Sequence, residues 1–268
     1  MTKKPLNNQE LHDIIVERIV RNGYTCDLND IDVSGVTDCS QLFKGIRFHG
    51  DISKWNVAHV TNMNEMFARS EFNGDITSWN VSSVTDMAYM FDGGMFDQDI
   101  SGWNVKNVKT MQGMFLHSPF NQSLAAWDVC GVEDFSKMFY ESPYEKDLNA
   151  WNPRSAKTMQ AMLFDSAYKG QLSNWRLSPS CNTDYLLNPA KFPGMEPSIV
   201  QFRLIYAEHL HYEEKMWRFV QQNRPVLESM GLDSMQAAVW IHAQWYDGPK
   251  AFESLNAPLG AFTDSISR

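Results

Sequence analysis

The chain has 268 residues and 30.8 kDa, enough for one large domain or one domain with an appendage. A hydrophobic content of 43% with 13% aromatics excludes wholesale disorder. A net charge of −9 speaks against a nucleic-acid binder and against docking on anionic lipid, because both need a basic face.

At the start, Lys3 and Lys4 are followed by no apolar stretch, and Glu10, Asp13 and Glu17 interrupt what comes next. The opening therefore does not read as a signal peptide. No apolar run nears the ~18 residues of a membrane span, and no lipoprotein-type cysteine stands near the start. The expected compartment is the cytoplasm; a secreted or surface location, with a leader removed, is the alternative. Cys26, Cys39, Cys130 and Cys181 form no CxxC pair and read as buried small hydrophobes.

Residues 1–23 form the first segment. Leu11, Ile14, Ile15 and Ile19 predict an amphipathic helix over 10–21, stopped by Asn22-Gly23 and placed to cover the end of the next segment.

Residues 24–187 carry a repeat. Trp55, Trp79, Trp103, Trp127, Trp151 and Trp175 stand 24 residues apart without an insertion. Seven positions upstream are Phe48, Phe72, Phe96, Phe120, Tyr144 and Tyr168. Three upstream are Ile52, Ile76, Ile100, Leu124, Leu148 and Leu172. Methionine fills two further columns, Met63, Met87, Met111 and Met159, then Met66, Met90, Met114, Met138 and Met162, so that nine of the fifteen methionines are core filling. A degenerate first unit, with Ile31 in the tryptophan place, and a decaying last one are what the ends of a stacked array need. Each unit is expected to hold a short strand near 51–57 and one helical turn near 63–67. Seven coils at the ~4.8 Å strand spacing make a rod roughly 30–35 Å long.

Residues 188–268 are not repeat-like and read as a helical appendage. Pro197 opens a long helix whose apolar face carries Ile199, Phe202, Tyr206, Leu210, Trp217 and Val220, and a second helix runs from about 233 to 246.

The unit from Phe72 to Phe91, with its Trp79 and its Met87 and Met90, resembles the BspA-type leucine-rich repeat of bacterial surface proteins and lipoproteins. The resemblance covers about 24–187 and implies an α+β repeat solenoid, a right-handed leucine-rich-repeat-like array that binds other macromolecules. It carries over no catalytic residues.

Two polar columns could serve either of two ends. Asp27, Asp51, Asp75, Asp99 and Asp147 share one; Asp32, Asn56, Asn80, Asn104, Asp128 and Asn152 share the other. Calcium is one reading; a ladder of side chains satisfying backbone groups at each corner is the favoured one, since Ser123 and Gln171 are weak ligands. His209 and His211 point about 200° apart on a helix and cannot share a metal. His242, between Trp240 and Trp245, reads as a packed histidine. No GxSxG, HExxH or P-loop pattern occurs, so neither catalytic residues nor a metal or cofactor is expected.

The expected partner is another protein, and the acidic charge suits a basic one. The non-repeating columns offer its surface: Asp92, Leu116, Tyr140 and Phe164 in the position after each Phe column, with Tyr89 and Met95 nearby. The last three of that column either pack beneath the C-terminal helices or form an exposed patch. Acids exceed bases by 12 to 6 over 24–115 and by 8 to 6 over 116–187. That excess, which solubility also explains, brings Glu65 and Glu71 into the candidate surface as steering charges for a cationic partner.

Overall fold

The computed structural model describes residues 4–187, apart from 171, 173, 176, 179 and 180. All of these fall in the first of two compact units, Met1–Pro193. Helix α1 spans Asn8–Asn22, two residues longer at its start than the apolar pattern predicts. The extension comes from Asn7, whose side chain accepts the Glu10 amide as an N-cap. Gly23, at φ 85°, closes the helix with its amide on the Ile19 carbonyl. Leu11, Ile15 and Ile19 are buried. Asn8 donates from Nδ2 to the Ser40 carbonyl at 2.9 Å, and Arg18 pairs with Asp30 at 2.7 Å. The helix thus supplies a donor to a carbonyl that no preceding repeat unit can reach.

From unit to unit the backbone meets itself at one repeated place. Parallel bridges join Asp38 to Asn62, Asn62 to Asp86, and so on through Thr110, Asp134 and Thr158 to Asn182. Beyond each bridge, every second amide donates to the next unit: Cys39, Gln41, Phe43 and Gly45 to the carbonyls of Asn62, Asn64, Met66 and Ala68. The amides between them turn back within their own unit, as Lys44 does to Gln41 and Ile46 to Phe43. This alternation needs two left-handed residues per unit. One column is Gln41, Glu65, Tyr89, Gly113, Lys137, Ala161 and Tyr185; the other is Gly45, Arg69, Gly93, His117, Glu141 and Asp165. Most are not glycine, and each such residue carries roughly 1–2 kcal/mol of backbone cost that the inter-unit bonds offset.

The expected strand near 51–57 and helical turn near 63–67 are therefore replaced. Asp27 and Asp51 form a single bridge in the first region, and linked turns occupy the second. Spacing at i, i+3 and i+4 buries Met63, Met66 and Phe67 from successive turns as readily as from a helix, which is why the pattern misled.

The core is a set of side-chain stacks running from unit to unit. Phe43, Phe67, Phe91, Phe115 and Phe139 stack at 5.4–5.7 Å between ring centroids. Phe48, Phe72, Phe96, Phe120 and Tyr144 form a second stack at 5.9–6.4 Å. The tryptophans add direction. Each indole Nε1 donates to a carbonyl 27 residues earlier, from Trp55 to Leu28 through Trp175 to Leu148, at 2.8–3.2 Å. The first unit has no unit before it, hence no carbonyl for a buried indole, and Ile31 fills the place without a polar atom to satisfy. Tyr144 shows the opposite case. Its buried hydroxyl finds no hydrogen-bond partner.

Glycines give a direct test of how tightly units approach. A Cβ at Gly50 would stand 2.0 Å from the Cys26 carbonyl oxygen and 2.5 Å from the Phe48 ring, whereas one at Gly102 meets nothing within 4 Å. Gly50→Ala is expected to cost about 1–3 kcal/mol. Gly102→Ala should stay within about 0.5 kcal/mol of the parent, since Ala126 and Ala150 occupy the same column. Urea unfolding of the two variants side by side checks the contrast; equal costs would contradict it.

Candidate functional site

The polar columns act on the backbone of their own unit. Asp27, Asp51, Asp75, Asp99 and Asp147 each accept the amide two residues on, at 2.8–3.0 Å. Asp32, Asn56, Asn80, Asn104 and Asp128 do the same at 3.0–3.3 Å. A third column, beginning with Asp38, Asn62 and Asp86 and ending at Asn182, repeats the arrangement at the bridge residues. Sequence reasoning missed it, because Thr110 and Thr158 interrupt the acidic and amide types there, although their hydroxyls accept the equivalent amide. Among the described residues, no group of three or more His, Cys, Asp or Glu is arranged to hold a metal ion.

These turns have a pH signature. The amides of Ser53, Thr77 and Ser101 hold the carboxyls of Asp51, Asp75 and Asp99 below the usual aspartate range. A carboxyl depressed in the folded state contributes stability above its unfolded pKa and loses it as pH falls through the folded value. The melting temperature is accordingly expected to fall below about pH 4. A D51N/D75N/D99N variant should fall less, because asparagine makes the same turn at Asn56, Asn80 and Asn104. EDTA at neutral pH should leave both unchanged. A calcium ladder would instead give a large EDTA effect.

The eight candidate surface residues fall in three columns of one stretch. Glu65 and Tyr89 share the first left-handed column. Asp92, Leu116, Tyr140 and Phe164 share the column just before the second, and Glu71 and Met95 share one two residues after it. The inward columns of this stretch stay mostly Met and Phe, with Leu toward the ends, while the outward ones change freely.

Near the N-terminal end the outward side chains are paired. Glu65 binds Lys44, and Glu71 lies 3.3 Å from Arg47 and 3.0 Å from His49. In the middle, Asp92, with 15% of its side chain exposed, faces Arg69 at 4.0 Å and His117 at 3.9 Å. Burial raises its carboxyl above the usual range, opposed by Arg69 and His117. The second nitrogen of His117 meets Glu141 at 3.4 Å. Tyr89 is half-buried, its ring lying where Gly113 has no Cβ; a Cβ there would come within 2.4 Å. Met95 stands 58% exposed.

Toward the C-terminal end the surface becomes aromatic. Tyr140 and Phe164 stack at 5.6 Å, His117 meets Tyr140 edge-on at 5.9 Å, and Tyr185, 66% exposed, meets Phe164 at 6.3 Å. Sequence reasoning missed His117, Glu141 and Tyr185 as members of this surface. The 24-residue step from Tyr89 would have led to Tyr185, but the left-handed column that unites them is invisible without backbone angles.

Cys26 and Cys39 are buried as expected, and burial pushes the Cys39 thiol up to about 12, leaving it protonated and unreactive at neutral pH. Cys130 and Cys181 are only half-buried. His209, His211, His242, the C-terminal helices and any cover they give to Leu116, Tyr140 and Phe164 lie outside the described residues. Among the described residues no helix is long and apolar enough to cross a membrane.

The family model described as "Mycoplasma protein of unknown function, DUF285" matches residues 17–119 and again 94–194. The chain belongs to this family, and the two overlapping matches fit a repeat protein. Comparison with curated proteins and with solved structures gave no match.

Proposed function

We propose that residues 24–187 are a right-handed solenoid of seven coils, of the BspA-type leucine-rich kind, and that the protein is a non-enzymatic binder of another protein. The observation that carries this reading is the contrast within the stretch equivalent to 63–71. Its backbone and inward side chains repeat, while its outward columns run through charged, small, aliphatic and aromatic residues. A repeated framework with variable outward columns is the arrangement by which stacked repeats present a binding face. Among the described residues, the Asp and Asn columns that could suggest a metal site are engaged in turns.

The net charge of −9, with its excess over 24–115, favours a basic partner. A cytosolic bacterial or phage-borne inhibitor, such as an immunity factor against a basic protein, fits that charge. The resemblance to surface-protein repeats supports a second reading, a surface or secreted adhesin or effector contacting host molecules. Affinity capture with the full chain, from lysate of the source cells at low and at ~0.5 M salt, separates the two. A single stoichiometric basic protein, lost at high salt, is the expected result. Nothing retained at either salt would overturn the cytosolic inhibitor.

A further inference from the structure

Resting on the protein-binding reading, we propose that the outward face around Tyr140, Phe164 and Tyr185 takes an arginine-bearing segment of the partner, its guanidinium groups stacking on the rings and pairing with the carboxylates beside them. The first support is an internal comparison. Lys44, Ala68, Asp92, Leu116, Tyr140 and Phe164 occupy one column, and their amides make the same bond to the residue three before: Lys44 to Gln41, Ala68 to Glu65, Tyr140 to Lys137, Phe164 to Ala161. A backbone position that accepts lysine, alanine and aspartate does not demand aromatic rings. Two rings stacked there at 5.6 Å, with the exposed Tyr185 edge-on to Phe164, are therefore not a requirement of the fold.

The second support is where the charges stand. Each stacked ring is followed directly by an acid, Tyr140 by Glu141 and Phe164 by Asp165, and Asp184 precedes Tyr185. Lys137 is the one base in the surrounding segments 137–141, 161–165 and 184–185, against these three acids. A hydrogen bond to Glu141, then burial, and more weakly the charges of Glu141 and Asp165 raise the Tyr140 phenol above its ordinary range, which places acids at the edge of this ring. Aromatic faces next to carboxylates suit a planar, delocalised cation better than a compact ammonium, because guanidinium stacks and forms a two-pronged pair at once. Within this surface the protein already holds a guanidinium near a carboxylate, Arg69 beside Asp92.

The test is fluorescence anisotropy of the full chain with labelled oligo-arginine, with oligo-lysine of equal length as the comparison. Oligo-arginine is expected to bind more tightly, by about 5-fold or more, and Y140A/F164A to weaken it by about 10-fold. Ala68 indicates that the backbone accepts alanine at this position. Should Y140A/F164A lower the melting temperature, Y140L/F164L keeps the bulk and removes the π faces, and the same loss is expected. Equal binding of the two peptides, or binding unchanged in both double variants, would overturn the proposal. A partner captured from lysate that binds Y140A/F164A as tightly as the parent would overturn this location while leaving the protein-binding reading standing. Arginine-selective binding lost in the variants, with no lysate partner, would support this chemistry while overturning the cytosolic inhibitor.

Discussion

Trp103→Ala is expected to destabilise the protein by about 3–5 kcal/mol, among the largest single-residue effects in the repeat. The indole is almost wholly buried, and its Nε1 donates at 3.2 Å to the Ile76 carbonyl of the preceding unit. That carbonyl also accepts the Trp79 amide, so removing the indole costs a second bond without leaving the oxygen unpartnered. Trp103→Phe separates the two contributions: it retains most of the ring and loses only the donor, and should cost about 1–2 kcal/mol. Urea unfolding with a common slope measures both. If phenylalanine costs as much as alanine, the hydrogen bond, and not the buried ring, dominates at this position.

The second large effect concerns length. Removing residues 77–100 joins Ile76 to Ser101, which occupies the place of Thr77 one unit later. Every bridge, stack and indole bond can then re-form with its neighbour shifted by one unit, because the contacts between units link residues 23 to 27 apart. The shortened chain is expected to unfold cooperatively with a modestly lower melting temperature, as nearest-neighbour stacking predicts. Removing 77–88 alone puts turn residues where the core residues belong and should abolish the cooperative transition. Circular dichroism melts of the two deletions decide the matter. Loss of cooperativity in both would mean that the array tolerates no change of register.

Much of this was legible before any coordinates. The Trp, Phe and Met columns marked the buried surface, and α1 matched its apolar pattern with a start two residues early. The two acidic and amide columns were readable as turn formers, since Asp and Asn bond a nearby amide wherever the chain bends. The local conformation at 63–67 was not legible, because buried residues at i, i+3 and i+4 suit linked turns as well as a helix. Left-handed backbone at Glu65, Tyr89 and Lys137 was hidden for a related reason: these residue types announce no such preference. The candidate surface was legible as a list of variable positions, but not as its pairs. Arg69, Asp92, His117 and Glu141 lie on different units, and nothing in any one unit indicates that they meet.

By itself the sequence determined the 24-residue period, the side chains that leave water and the place where the array begins, because burial follows from residue type repeated at fixed spacing. Tertiary structure decided which carbonyl each indole meets, why Ile31 suffices where no earlier unit exists, and how the outward residues group into a paired end and an aromatic end. Those outcomes depend on contacts across 21 to 27 residues of chain, which only stacking sets.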